Sequence, residues 1–279
     1  MKILRYIRIT SRLRCATQPA IKMNFLYLPA LVLYLIACNK PSDKNREQPT
    51  ITIAVAANMQ FAMDALIKAF EVGSDIQCQT TVSSSGKLTA QIMEGAPFDV
   101  FVSADMKYPL EIEKSGLAAL PARPYAFGKL VLWTMKPDFL PDFSTLDSEQ
   151  VRHIALANPR TAPYGSAAME VLEHLGMQEK VLPKLVYGES IAQTNQFIIT
   201  QAAELGFTAM SVVFSPEMKG KGAWIAVPSG WYSPIEQGAV VIKRGETSSA
   251  AAVQFFEYLF SEAAQQILRD YGYEAVETH

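Results

Sequence analysis

Four short runs place small and polar residues directly ahead of helical sequence: Ala56-Ala57-Asn58-Met59, Ser84-Ser85-Gly86-Lys87, Ala162-Pro163-Tyr164-Gly165 and Glu189-Ser190-Ile191-Ala192. The first turn of a helix carries backbone N–H groups without intrahelical partners and the positive end of the helix dipole, so it attracts anions. Small side chains let an anion approach the backbone, while Asn, Ser and Tyr add side-chain donors. Any one of these junctions is explained equally well as a capped helix with nothing bound, because Asn and Ser are favoured N-caps. Four of them can enclose a single anion if the fold brings them to one cleft.

The chemistry is not that of a nucleotide P-loop. That motif needs a glycine five positions before the Gly-Lys pair and Ser or Thr after it; here Thr81 and Leu88 occupy those places. Lys87 then reads as a solvated first-turn residue. Cys15, Cys38 and Cys78 form no CxxC, and His153, His174 and His279 have no paired ligand spacing, so no directly coordinated metal and no cofactor is expected. No histidine falls at any of the four junctions to serve Ser85 as a base, and Asp105 reads as the cap of the helix that follows it. No catalytic residue is therefore assigned. A net charge of −2 gives no electrostatic footprint for nucleic acid. Trp224, Trp231 and Tyr232 read as core or hinge packing rather than as a sugar platform.

The elements that must position these loops alternate along the chain. ITIAVAA (51–57), QCQTTVS (77–83) and DVFVSA (99–104) read as strands, with helices at 59–71, 86–95 and 108–115. Strands follow at 130–135, 153–158, 184–188, 207–214, 223–228 and 238–243, with helices at 164–176 and 191–206 and one long helical region at 248–272. The alternation predicts α/β architecture built from two units of similar size, the late strands and last helix returning to the first. Ligands of open α/β sheets bind beyond the carboxyl ends of the strands, which is where the four junctions lie.

The first residues do not read as part of this fold. Lys2, Arg5, Arg8, Arg12, Arg14 and Lys22 precede the apolar stretch Asn24 to Ala37, which is shorter than the roughly 20 residues a spanning helix needs. That order belongs to a secretory signal. Leu35-Ile36-Ala37-Cys38 resembles a bacterial lipobox, in which Cys38 is lipidated and becomes the mature N-terminus; a plain cleaved signal with an incidental Cys38 is the alternative. The polar NKPSDKNREQPT after it has tether composition. The expected organisation is a lipoprotein-type signal peptide at 1–37, a flexible tether at 38–50, one lobe from 51–127 with 235–279, and a second at 128–234.

From Ile51 to Val276 the text IAVAANMQFAMDAL, SSSGKLTAQIMEGAPFDVFVSAD, ANPRTAPYGSAA, GESIAQTNQF, YSPIEQGAVV and AVQFFEYLFSEAAQQILRDYGY resembles the molybdate-binding proteins of ABC importers. The resemblance implies a two-lobed periplasmic-binding-protein fold of type II with its ligand in the interlobe cleft. It also implies an extracytoplasmic receptor, by default a monomer, that delivers molybdate or tungstate to an ABC permease; the lipobox reading adds a membrane anchor through Cys38. Carried over residue by residue, the oxyanion site falls at Asn58, Ser85, Tyr164 and Ile191, the last through its backbone. Some relatives have a serine in place of Asn58, and some add a tyrosine hydroxyl at the position of Ala209 or a threonine at that of Ala57; both hydroxyls are absent here. Molybdate is a tetrahedral dianion that only accepts hydrogen bonds, so its pocket is expected to hold donors and no carboxylate. A different oxyanion, a small organic acid, or an enzyme on the same fold are the alternatives.

Overall fold

The computed structural model describes residues 48–245 and 249–276. The expected signal peptide, the Cys38 lipidation site and nearly all of the expected tether lie outside the described residues.

Strand β1 (Thr50–Ala56) shows why the fold is layered. Successive side chains of a strand point to opposite faces. Ile51, Ile53 and Val55 pack into one cluster with Leu66, Phe255, Phe256 and Leu268, while Ala54 joins another with Leu88, Ile92 and Ile112. A strand buried on both faces must be covered on both, which is the α/β solution. Helices α1 (Gln60–Val72), α8 (Ala250–Tyr258) and α9 (Glu262–Asp270) supply the first cover. Helices α2 (Ser85–Met93) and α3 (Lys107–Lys114) supply the second.

β1 pairs in parallel with β2 (Gln77–Ser83) and β3 (Val100–Val102). The sheet is completed by antiparallel β10 (Ile235–Val241), β4 (Arg123–Gly128) and β11 (Glu274–Ala275), in the order β11-β4-β10-β3-β1-β2. After β4 the chain passes straight into a second sheet, of order β7-β6-β8-β5-β9. Its strands are β5 (Leu130–Thr134), β6 (Ile154–Ala157), β7 (Leu185–Gly188), β8 (Leu205–Ala209) and β9 (Ala223–Ala226). β6 runs parallel to β7 and β8, and β5 antiparallel to β8 and β9. Its helices are α4 (Pro163–His174), α5 (Gln178–Val181), α6 (Ile191–Ile199) and α7 (Met210–Phe214).

Three expectations from sequence are corrected. The helix expected over 191–206 ends at Ile199, and Gln201 turns the chain with φ of 57°. Leu205 and Gly206 are needed in the sheet opposite Ile154 and Ala155, so the sheet takes them from the helix. The strand expected over 207–214 stops at Ala209, and Met210–Phe214 forms a helical turn in which Val212 and Val213 are buried; burial overrides their β preference. The long helix expected over 248–272 is two helices, because Ser261 Oγ accepts from Ala264 N at 3.2 Å and caps a new start. β4, which contains Pro124, and the two-residue β11 were not expected from the sequence.

Tyr232 is buried, its hydroxyl accepting from Leu130 N at 3.2 Å, and Trp231 stacks on His174 at 5.1 Å, both as packing residues near the return from the second sheet. Cys78 is half-buried on edge strand β2; burial, helped by the Glu71 carboxylate, pushes its thiol up to about 12, so it is not a thiolate near neutral pH.

Candidate functional site

Each of the four junctions follows the carboxyl end of a parallel strand. β1 runs into a 3₁₀ turn at Ala57–Met59 that leads to α1, and β2 runs through Ser84 into α2. β6 is followed by the loop to Ala162 and α4, and β7 by Glu189-Ser190 and α6. Their starts meet around a small, tight cavity of about 10 Å³ lined by Ala56, Ala57, Asn58, Ser84, Ser85, Ala104, Ala162, Pro163, Tyr164 and Ile191. All four residues singled out from the sequence are on this wall. None of the lining residues is charged.

The helix starts at the cavity are uncapped. Ser84 and Ser190 occupy N-cap positions in extended conformation, yet neither side chain accepts a backbone hydrogen there. Ser249 and Ser261, at the N-caps of α8 and α9, do cap. The Ser84 hydroxyl is buried without any partner. Ser85 Oγ accepts from Ala104 N at 3.0 Å, which fixes the oxygen and leaves its own hydrogen for the cavity. Sequence reasoning picked Ser85 and passed over Ser84; the only signal was that Ser84 precedes the helix by one residue, and that position ordinarily means capping.

Asn58 sits differently from its expected role as a side-chain donor. One hydrogen of its Nδ2 goes to Gln237 Oε1 at 2.8 Å and the other to the Tyr273 hydroxyl at 3.1 Å, so its amide is committed away from the cavity. What Asn58 offers the cavity is the backbone of the 3₁₀ turn. Tyr164 accepts from Gln237 Nε2 at 3.0 Å. Burial pushes the Tyr164 phenol well above its ordinary range, so it remains a protonated donor. Asp105 is not in the cavity wall; its Oδ1 accepts from Tyr108 N at 3.3 Å, in the cap of α3.

The two sheets are tied across the cavity. Gly86 N donates to Thr161 O at 2.9 Å, Ser211 Oγ to Asn58 O at 2.8 Å, and the Tyr108 hydroxyl to Arg160 O at 3.3 Å. The Gly86 contact needs glycine, since a Cβ there would lie 2.8 Å from the Tyr108 hydroxyl and 3.0 Å from Thr161 Cα. Lys87, outside the cavity wall, pairs at the surface with Glu189 from the other side. An exposed pair contributes about 0–1 kcal/mol. Lys87→Glu and Glu189→Lys are each expected to speed anion release roughly two- to fivefold, and the double exchange to restore it. Stopped-flow fluorescence checks this; added salt should shrink the differences.

Known proteins are similar to this chain over most of its length. Residues 51–274 match the family model of bacterial extracellular solute-binding proteins. The molybdate-binding protein ModA of Azotobacter vinelandii is 40% identical over 226 residues, covering 80% of this chain and 89% of the relative. ModA of Rhodobacter capsulatus is 39% identical over 225 residues, covering 80% and 87%. The solved periplasmic molybdate-binding protein of Azotobacter vinelandii superposes with a TM-score of 0.77 at 34% identity, over 81% of this chain and all of that one. With its fold and its cleft of helix N-termini, the chain belongs to the bacterial extracellular solute-binding proteins.

Proposed function

We propose that the protein is an extracytoplasmic receptor that captures molybdate in the cavity and hands it to an ABC permease. The observation that carries this reading is a buried cavity walled by uncapped helix starts and hydroxyls, with no charged side chain. A tetrahedral dianion accepts at every oxygen, and this wall donates: the backbone near Asn58, Ser85, Tyr164 and Ile191, with the hydroxyls of Ser84, Ser85 and Tyr164. Hydrogen bonds to a charged group contribute about 1.5–3 kcal/mol net each. Desolvation and closure of the two sheets over the anion reduce the sum. Fixed dipoles select by radius where a free cation would not, because a smaller tetrahedron cannot reach every donor at once.

The reading extends to tungstate, nearly the same size, as an equal ligand. It includes no catalysis, a monomeric state, and attachment to the membrane through Cys38. Isothermal titration of the purified protein with molybdate, tungstate, sulfate and phosphate tests it. Tight, near-equal binding of the first two and silence for the others is the expected result. Silence for all four removes the oxyanion reading.

A further inference from the structure

Beneath the cavity lies a buried polar network that joins both sheets: Asn58, Tyr125, Tyr164, Gln237 and Tyr273. Most hydrogens in it have a partner within the protein. Asn58 Nδ2 gives one to Gln237 Oε1 and one to Tyr273, and the Tyr273 hydroxyl gives its own to Asn58 O at 3.1 Å. The Tyr125 hydrogen lies between Gln237 Oε1 at 3.1 Å and Ser103 O at 3.2 Å. Gln237 Oε1 is thus an acceptor for two groups, which turns Gln237 Nε2 toward the Tyr164 oxygen. An amide hydrogen on that oxygen leaves the phenolic hydrogen pointing away from Gln237. Tyr164 lines the cavity.

We propose that Gln237 is a positioning residue for anion specificity: it holds Tyr164 as a donor into the cavity and so denies the Tyr164 oxygen to oxyanions that carry a hydrogen of their own. A monohydrogen oxyanion needs one acceptor in the wall. A tyrosine hydroxyl free to rotate supplies one, and a tyrosine whose oxygen already receives the Gln237 amide does not. The network therefore disfavours hydrogen phosphate at Tyr164 without any carboxylate in the cavity, leaving the Ser84 hydroxyl as the one wall oxygen free to turn toward such a hydrogen. This inference rests on the oxyanion-receptor reading.

The test is a double-mutant cycle read by calorimetry, with Gln237→Leu and Tyr164→Phe alone and combined. With Tyr164 present, Gln237→Leu is expected to weaken molybdate about tenfold and to shrink the molybdate-over-phosphate ratio by more than that, on the scale of one charge-assisted bond. In the Tyr164→Phe background the same change should cost less than about threefold, because Gln237 Nε2 no longer has its acceptor. A purely structural role for Gln237 predicts the same cost in both backgrounds; that result, or an unchanged selectivity ratio, overturns the proposal. Should Gln237→Leu unfold, Gln237→Met serves instead in the same cycle, with the same expected and overturning results. No molybdate binding by the wild-type protein is a separate result that removes the receptor reading itself.

Discussion

Ser85→Asp is expected to lose at least roughly a thousandfold in molybdate affinity and to melt no earlier than the wild-type protein. Ser85 is the first residue of α2, and its Oγ accepts from Ala104 N at 3.0 Å. An Asp carboxylate can accept the same hydrogen, so the local frame survives. It also stands at a helix start, where negative charge is stabilising. The variant in effect carries its own anion in the cavity. A unit charge about 4 Å from another costs about 4 kcal/mol at an effective dielectric of 20, and molybdate brings two. Each 1.4 kcal/mol is tenfold in affinity. Titration at mildly alkaline pH keeps the carboxylate ionised despite burial. The paired measurements are calorimetry and the melting temperature with and without molybdate. The ligand-induced rise in melting temperature should disappear while the ligand-free value holds or increases. Retained binding would place the anion elsewhere; loss of fold would mean that Ser85 matters only to packing.

Much of this site could be read in the sequence because helix starts have a local signature. Small residues, Ser, Asn and Pro ahead of an apolar period mark an N-terminus wherever it lands. The alternation of strands and helices then says that such starts gather at one edge of a sheet. That is why Asn58, Ser85, Tyr164 and Ile191, far apart in sequence, line one cavity. What could not be read is the direction of each hydrogen bond. Asn58 has the residue type of a donor, but its hydrogens are claimed by Gln237 and Tyr273, which come from the far end of the chain. Ser84 looks like a cap, and only the fold shows that its hydroxyl caps nothing. The missed boundaries have the same origin. Ile199 to Leu205 carries helical periodicity, and it is pairing with Ile154 and Ala155 that ends the helix early. Val212 and Val213 favour strands in isolation, yet the chain needs a buried turn where β8 ends. Local preference decided the elements wherever no long-range partner competed for the same residues.

Gly128→Ala is expected to weaken molybdate about tenfold and to lower the melting temperature of the ligand-free protein by a few degrees. Gly128 ends β4, at the crossing from the first sheet to the second. A Cβ there would lie 2.0 Å from the Tyr164 hydroxyl and 2.3 Å from Gln237 Nε2. Both are ends of side chains, not backbone, and Tyr164 belongs to the second sheet's side of the cavity. The clash with Tyr164 exists only when the two sides are together and is relieved by opening them, whereas the clash with Gln237, on the neighbouring strand of the same sheet, persists in either arrangement. Overpacking of this kind costs typically about 1–3 kcal/mol, and here the Tyr164 share falls on the closed form while the Gln237 share falls on both. Under the proposed closure over the anion, the Tyr164 share of the penalty appears in affinity and the Gln237 share in stability. Gly176, with φ of 64° and open space where an added methyl would stand, is the control. Its replacement by Ala strains a turn after α4 without touching the network, and should lower the melting temperature with binding intact. Small-angle scattering completes the comparison. Molybdate is expected to compact the wild-type protein and the Gly176→Ala variant, whereas Gly128→Ala should need far more molybdate to reach the same radius. Equal binding by Gly128→Ala and wild type would mean that the Tyr164–Gln237 contact is absent from the anion-bound state, and that the cavity closes around its ligand by some other packing.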